Sequence, residues 1–118
     1  MLLEKIKQSN DSEPIERGDV ICINDEGEAK KVSCLEDTFK TIGICSDIEK
    51  GNNGVQIEIC VNGFIDANTN DTLLEPGDLL VAEVDGTVKC KTAEDDDIDI
   101  IGMALSKVID NKILIKCK

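Results

Sequence analysis

The chain contains no histidine, no tryptophan and no tyrosine, and only two phenylalanines, Phe39 and Phe64. Without imidazole, the Cys–His and Ser–His nucleophile pairs are excluded. A Ser–Lys or Cys–carboxylate device needs no histidine, but no stretch carries its signature. The sequence therefore predicts no enzyme. With so few aromatics, a core must be built from Ile, Val, Leu, Ala and Cys, and β-branched side chains suit a pleated, half-buried surface. Cations are also in short supply: 13 Lys and Arg face 25 Asp and Glu, for a net charge of −12. That balance argues against a nucleic-acid partner, whose phosphates need clustered Lys and Arg, and against an anionic membrane surface. It suits a soluble protein held at high local density, because like charges resist non-specific association.

Other absences narrow the class further. No apolar run reaches the length of a membrane-spanning helix. The opening "MLLEKIKQSN" lacks the apolar centre of a signal peptide, so the expectation is synthesis in the cytoplasm without one. No phosphate-binding loop is present: "KGNNGV" lacks the Lys-Ser/Thr step. The six cysteines, at 22, 34, 45, 60, 90 and 117, include no CxxC pair. With no histidine beside them they do not form a zinc pattern, and they read as reduced thiols, mostly small buried hydrophobes. No cofactor is implied.

What is present is a duplication. "ERGDVICINDEGEAKKVSC" and "EPGDLLVAEVDGTVKCKT" superimpose at an offset of 59 residues, Gly18-Asp19 on Gly77-Asp78 and Gly27 on Gly86. Held without a gap from Glu16 to about Ser46, the same offset lays Lys30 on Lys89, Phe39 on Ile98 and Ile42-Gly43-Ile44 on Ile101-Gly102-Met103. Twice 59 is the full length of 118, which allows one domain, or two small halves around one core. The expected fold is all-β: a small β-barrel or β-sandwich of two pseudo-repeated halves, with little or no helix. The repeat is placed at about 13–59 and 72–118 of a single β domain, 13–118. Residues 1–12 fall outside it and read as an N-terminal arm or tail.

Each half spells the same string. An apolar run, "VICIN" or "LLVAEV", leads to a turn, "DEG" or "DG". There Gly supplies positive φ and Asp closes the turn with its side chain. A return strand follows, then an irregular loop. Next comes an apolar strand, "TIGICSDI" or "IIGMALSKVI", whose internal Gly marks a bulge or a close backbone approach. A tight turn, "KGNNG" or "DN", leads to an alternating strand. Val55, Ile57, Ile59 and Val61 share one face, as do Ile113, Ile115 and Cys117. Asn62-Gly63 reads as a turn, "FIDA" as a short strand, and Asp71 as a cap for one helical turn.

Two groups of acids invite a chemical reading. Asp19 and Asp78 are the repeated acids. The Thr and Gly of a pseudo-symmetric acid protease do not follow them. They read instead as structural turn residues with Gly18, Gly27, Gly77 and Gly86, each Asp capping backbone N–H groups. In "AEDDDIDI", Asp95, Asp97 and Asp99 would share a face of an extended chain, as hard Ca²⁺ ligands can, but the spacing is not that of an EF-hand. A solvated acidic loop is the plainer reading, and no metal site is expected.

The order "GDVICINDEGEAKKVSCLEDTFKTIGICSD…VQIEICVNGFIDA", followed by "PGDLLVAEVDGTVKCKT…IIGMAL…KILIKC", resembles the small head decoration, or capsid cement, proteins of tailed bacteriophages, lambda-type decoration proteins among them. The resemblance spans roughly Glu13 to Cys117. It implies a structural protein of a phage or prophage virion that binds the outside of the capsid and stabilises the head. Its partners would be the major capsid protein and copies of itself, as a homotrimer, and its location the capsid surface. It also implies a capsid-docking N-terminal arm within residues 1–12, with Leu2, Leu3 and Ile6 as apolar contacts and strand addition as the mode. Two alternatives stand beside it: a β-structured module of a phage tail, fibre or baseplate, and a cytoplasmic binding β-barrel.

Overall fold

Nine strands form one continuous antiparallel sheet in the computed structural model, which describes residues 2–118. They are β1 (Leu2–Lys7), β2 (Val20–Ile23), β3 (Ala29–Lys31), β4 (Thr41–Gly51), β5 (Gly54–Asn68), β6 (Leu79–Ala82), β7 (Val88–Cys90), β8 (Gly102–Ala104) and β9 (Lys112–Cys117). Two short 3₁₀ turns, Glu36–Lys40 and Asp97–Asp99, are the helical pieces among the described residues. The fold is all-β, a barrel-like curl in two halves. The strands run in the order β3-β2-β4-β5-β9-β8-β6-β7, with β1 added against β5.

The duplication holds residue for residue in the hairpin strands and in the glycines beside them. β2 and β6 start and end 59 residues apart, and so do β3 and β7. Gly18 N–H donates to Cys45 O at 2.9 Å, and Gly77 N–H to Ala104 O at 2.8 Å. Gly27 and Gly86 close the two hairpins at φ 77° and 82°, a region open to Gly at little cost. Gly43 and Gly102 each lie under a neighbouring backbone. A Cβ on Gly102 would sit 2.6 Å from Lys116 O, and one on Gly43 would strike Cys60 O. The internal glycines thus mark a close approach of strands.

Three expectations change. Residues 2–7 are not an arm outside the domain, for β1 is hydrogen-bonded along β5, with Glu4 opposite Ile59 and Ile6 opposite Ile57. Met1, the other end of that expected arm, lies outside the described residues. Asn62-Gly63 is not a turn. β5 runs through it, Gly63 taking φ 126°, so that one 15-residue strand serves both halves. Residues 56–62 pair with β1 and β4, and 63–68 pair with β9. Finally, the strand expected in "IIGMALSKVI" is short: β8 covers only Gly102–Ala104.

These corrections complete the repeat. Leu3 pairs with Cys60 as Phe64 pairs with Lys116, and Ile6 pairs with Ile57 as Ala67 pairs with Ile113. β1 is therefore the counterpart of residues 63–68, at an offset of 61, and the halves are 2–62 and 63–118. Single parallel bridges, Gln8 to Ala29 and Thr69 to Val88, bring the end of each half's first strand onto its third, so each half curls toward closure.

The core follows the alternation. Ile21, Ala29, Cys45, Ile57 and Ile59 fill the first half, with Ile6 against them. Their counterparts Leu80, Val88, Ala104, Ile113 and Ile115 fill the second, merged into one cluster with Val20, Cys22, Val32, Ile44 and Cys60 from the other face of the first half. Both phenylalanines are left exposed, at 63 % each. Four cysteines, 22, 45, 60 and 117, are buried, Cys90 is half-buried, Cys34 is exposed, and all six are free thiols.

Candidate interaction surface

The repeated acids hold backbone. Asp19 Oδ2 accepts from Glu16 N–H at 2.8 Å, and Asp78 Oδ2 accepts from Glu75 N–H at 2.9 Å. The environments differ. Asp19 is 3 % exposed; its other oxygen accepts from Asn68 Nδ2 at 3.0 Å, and Lys31 Nζ lies 3.5 Å away. Asp78 is only half-buried. In the hairpins, Asn24 rather than Asp25 closes the first turn, its Oδ1 accepting from the N–H groups of Glu26 and Glu28. An amide at that place reaches the two donors that a side chain one residue later leaves behind. In the second hairpin Asp85 does serve, accepting from Thr87 N–H at 3.1 Å.

The acidic loop does not gather a metal set: among the described residues, no three His, Cys, Asp or Glu side chains converge. Asp95 accepts from Thr92 N–H at 2.8 Å, and that bond holds its carboxyl below the ordinary range. Asp97 lies 3.5 Å from Lys91 Nζ. Nothing in the sequence announced the half-buried, hydrogen-bonded ion pair of Lys30 with Asp37 at 2.8 Å. Burial alone would raise the Asp37 carboxyl. The Lys30 ammonium, the Ser33 N–H and the Cys34 thiol outweigh it and hold Asp37 below the usual carboxylate range. Among the thiols, burial pushes Cys22 up to about 11 and Cys45 to about 12. Burial and the adjoining Cys60 put Cys117 at about 12, so none of these three is a ready nucleophile.

What the two halves do not share is cover. The outward face of the first half is buried, with Val20, Ile44 and Cys60 at 0 %. The second half covers it. Val20 N–H donates to Gly86 O at 2.7 Å, Asn68 N–H donates to Gly18 O at 2.9 Å, and Asn68 Nδ2 donates to Arg17 O at 3.0 Å. Gly86 sits on the stem of Lys31 so closely that a Cβ would lie 2.7 Å from it. The counterpart face on the second half is covered only in part, with Val81 buried at 3 % but Leu79 and Lys116 exposed and Met103 half-buried. Leu79, the equivalent of Val20, is 44 % exposed. With Ile100, Gly102, Met103, Lys116, Cys117 and Lys118 it lines a cleft of about 340 Å³. The hairpin tip at Gly27 is likewise bare, with nothing within 4 Å of a Cβ position there, and the same holds at Gly77.

Of the residues expected to dock, Leu2 and Leu3 are exposed at 53 % and 39 %, whereas Ile6 packs against the first-half core. β1 pairs along one side only, with β5, until Gln8 meets β3. No helix among the described residues is long and apolar enough to cross a membrane. No protein-family model matches the chain, and no curated protein matches it.

Proposed function

We propose that the chain is a decoration, or cement, protein of a tailed-phage head, binding the outside of the capsid and stabilising it. The observation that carries this reading is the exposed apolar pair Leu2 and Leu3 on a strand whose outer edge is unpaired, in an all-β domain whose repeated acids, Asp19 and Asp78, are spent on its own turns. An open strand edge gives affinity through main-chain hydrogen bonds and specificity through alternate side chains. The docking element is then the edge of β1, already seated in the domain, and not a free arm. Its partner is a strand of the major capsid protein. The net charge of −12 keeps neighbouring particles apart. The resemblance of both halves to cement proteins supports the same reading.

Electron microscopy of particles induced from the source genome, with this protein labelled, tests the proposal. Label spread over the heads is expected. Label confined to tails moves the chain to a tail, fibre or baseplate module, and absence from all particles overturns a virion role.

A further inference from the structure

The second half covers the first through a definite set of contacts, and the first half carries the counterparts of the covering elements, with its hairpin tip at Gly27 bare. We propose that copies of this chain associate head to tail, the first half of one copy seating on the second half of the next as the second half seats on the first within the chain. The contact follows from the repeat and the bare surfaces alone, and does not depend on the capsid reading.

The offsets of the repeat name the partners. Gly86 O meets Val20 N–H within the chain, so Gly27 O of one copy meets Leu79 N–H of the next. Ile98, 85 % exposed, stands at the mouth of a cleft with Thr41, Ile42, Gly43 and Val61. The equivalents of Thr41, Gly43 and Val61 are Ile100, Gly102 and Cys117, which line the open cleft beside Leu79 and Met103. The equivalent of Ile98 is Phe39, an aromatic 63 % exposed on the surface of an otherwise aliphatic protein. By the same offset Phe39 of one copy stands at the mouth of the next copy's cleft, where its ring covers more apolar surface than the Ile98 side chain does.

Charge agrees. Asn68, which bonds Asp19, has Lys7 as its counterpart, and Asp19 has Asp78. Lys7 of one copy then reaches Asp78 of the next, replacing an amide contact by an ion pair. The tip that docks carries Asp25, Glu26 and Glu28, and the cleft that receives it is lined by Lys116 and Lys118. Such opposed charges fix orientation and discourage the reverse pairing. A head-to-tail contact uses two different patches. It closes into a ring when the rotation per step allows and runs on as a filament otherwise. A three-membered ring would hold six halves, each turned by about 60°.

Light scattering after size exclusion, up to about 1 mM protein, tests it. Wild type is expected as a multimer of the 12.8 kDa chain. Phe39→Asp removes the knob and Leu79→Asp spoils the socket. Each should weaken association at least about 30-fold and leave monomers at micromolar concentration. Both side chains are exposed, and circular dichroism checks that each variant keeps its β signal. Mixed one to one, the variants retain one intact socket and one intact knob. They should form a heterodimer of about 26 kDa, twice 12.8, that grows no further. A monomeric wild type, two variants that assemble like wild type, or a mixture that stays monomeric overturns the proposal. A monomer that still labels phage heads would sink this contact and leave the capsid reading standing.

Discussion

The internal repeat supplies its own control, and Asp19 against Asp78 is the sharpest use of it. Both carboxylates accept the same bond, from Glu16 N–H and Glu75 N–H, at 2.8 and 2.9 Å. Replacing either by Ala removes a capping bond of about 1 kcal/mol. For Asp78→Ala the account stops there. Asp19→Ala also deprives the Asn68 amide and the Lys31 ammonium of their acceptor at a position 3 % exposed. Polar groups stranded in that way cost about 1–3 kcal/mol more. The expected losses are therefore about 3 kcal/mol for Asp19→Ala and about 1 kcal/mol for Asp78→Ala. With a urea slope of about 1.5 kcal/mol per molar, the midpoints fall by about 2 M and about 0.7 M. Urea titrations followed by circular dichroism, on dilute protein so that self-association contributes nothing, read both values. Equal shifts, or a larger one for Asp78→Ala, would refute the claim that the buried bonds to Asn68 and Lys31, and not the turn itself, make Asp19 important.

Three further outcomes are expected. Gly43→Ala and Gly102→Ala should each lower stability by about 1–3 kcal/mol in the same titration, because the added methyl drives a neighbouring strand away; a change below about 0.5 kcal/mol in both would mean the strands slide apart freely. Asp37→Asn should destabilise at pH 7. The Asp37 carboxyl is held below its ordinary range in the fold, so its stabilisation is present above the unfolded value near 4 and is lost as pH falls through the folded value. Urea midpoints of wild type and variant should differ at pH 7 and draw together as pH falls below about 4, and a constant gap would deny the ion pair its role. A thiol reagent at pH 8 should modify exposed Cys34 at once and half-buried Cys90 more slowly, sparing Cys22, Cys45, Cys60 and Cys117 until urea unfolds the chain. Fast reaction of a third thiol would contradict the packing of the core.

The sequence disclosed the parts of this fold that depend on one residue type at one place. Gly27 and Gly86 stand at positive φ that other residues resist, and Gly43 and Gly102 stand where a methyl does not fit; such positions repeat visibly because substitution is costly. Alternation exposed the inward faces of β5 and β9 because each pairs a buried side with a polar one. β1 escaped notice for the opposite reason. Its equivalence to residues 63–68 is one of backbone pairing, and almost any side chain satisfies a ladder: Leu3 answers to Phe64, Glu4 to Ile65 and Lys7 to Asn68. Insertions also move the offset from 59 to 61, so an ungapped overlay cannot reach it. Gly63 misled because Asn-Gly is the strongest short hairpin signal, yet here the glycine bends a strand shared by two halves and does not reverse it. The Lys30–Asp37 pair left no mark because it depends on how the turn after β3 folds back on that strand, and the uncovered cleft left none because it depends on which half lies over which.

That last dependence is itself written in side chains, once the pairing is known. The covered face of the first half presents Val20, Cys22, Val32, Ile44 and Cys60. At the same places the second half has Leu79, Val81, Lys91, Met103 and Lys116, apolar at the centre with two lysines among them. A face sealed permanently within one chain favours small aliphatic residues and thiols, because any charge there would be stranded. A face with Leu and Met beside Lys stems tolerates water and also closure, since a lysine can lay its methylenes over apolar surface and keep its ammonium wet. The knob follows the same division. Ile98 stays 85 % exposed at the contact within the chain, and the larger Phe39 stands where association must also offset lost translational freedom. Duplication alone would have left two like faces. The differences accumulated between them are those expected if one contact is fixed and the other has to form anew between copies.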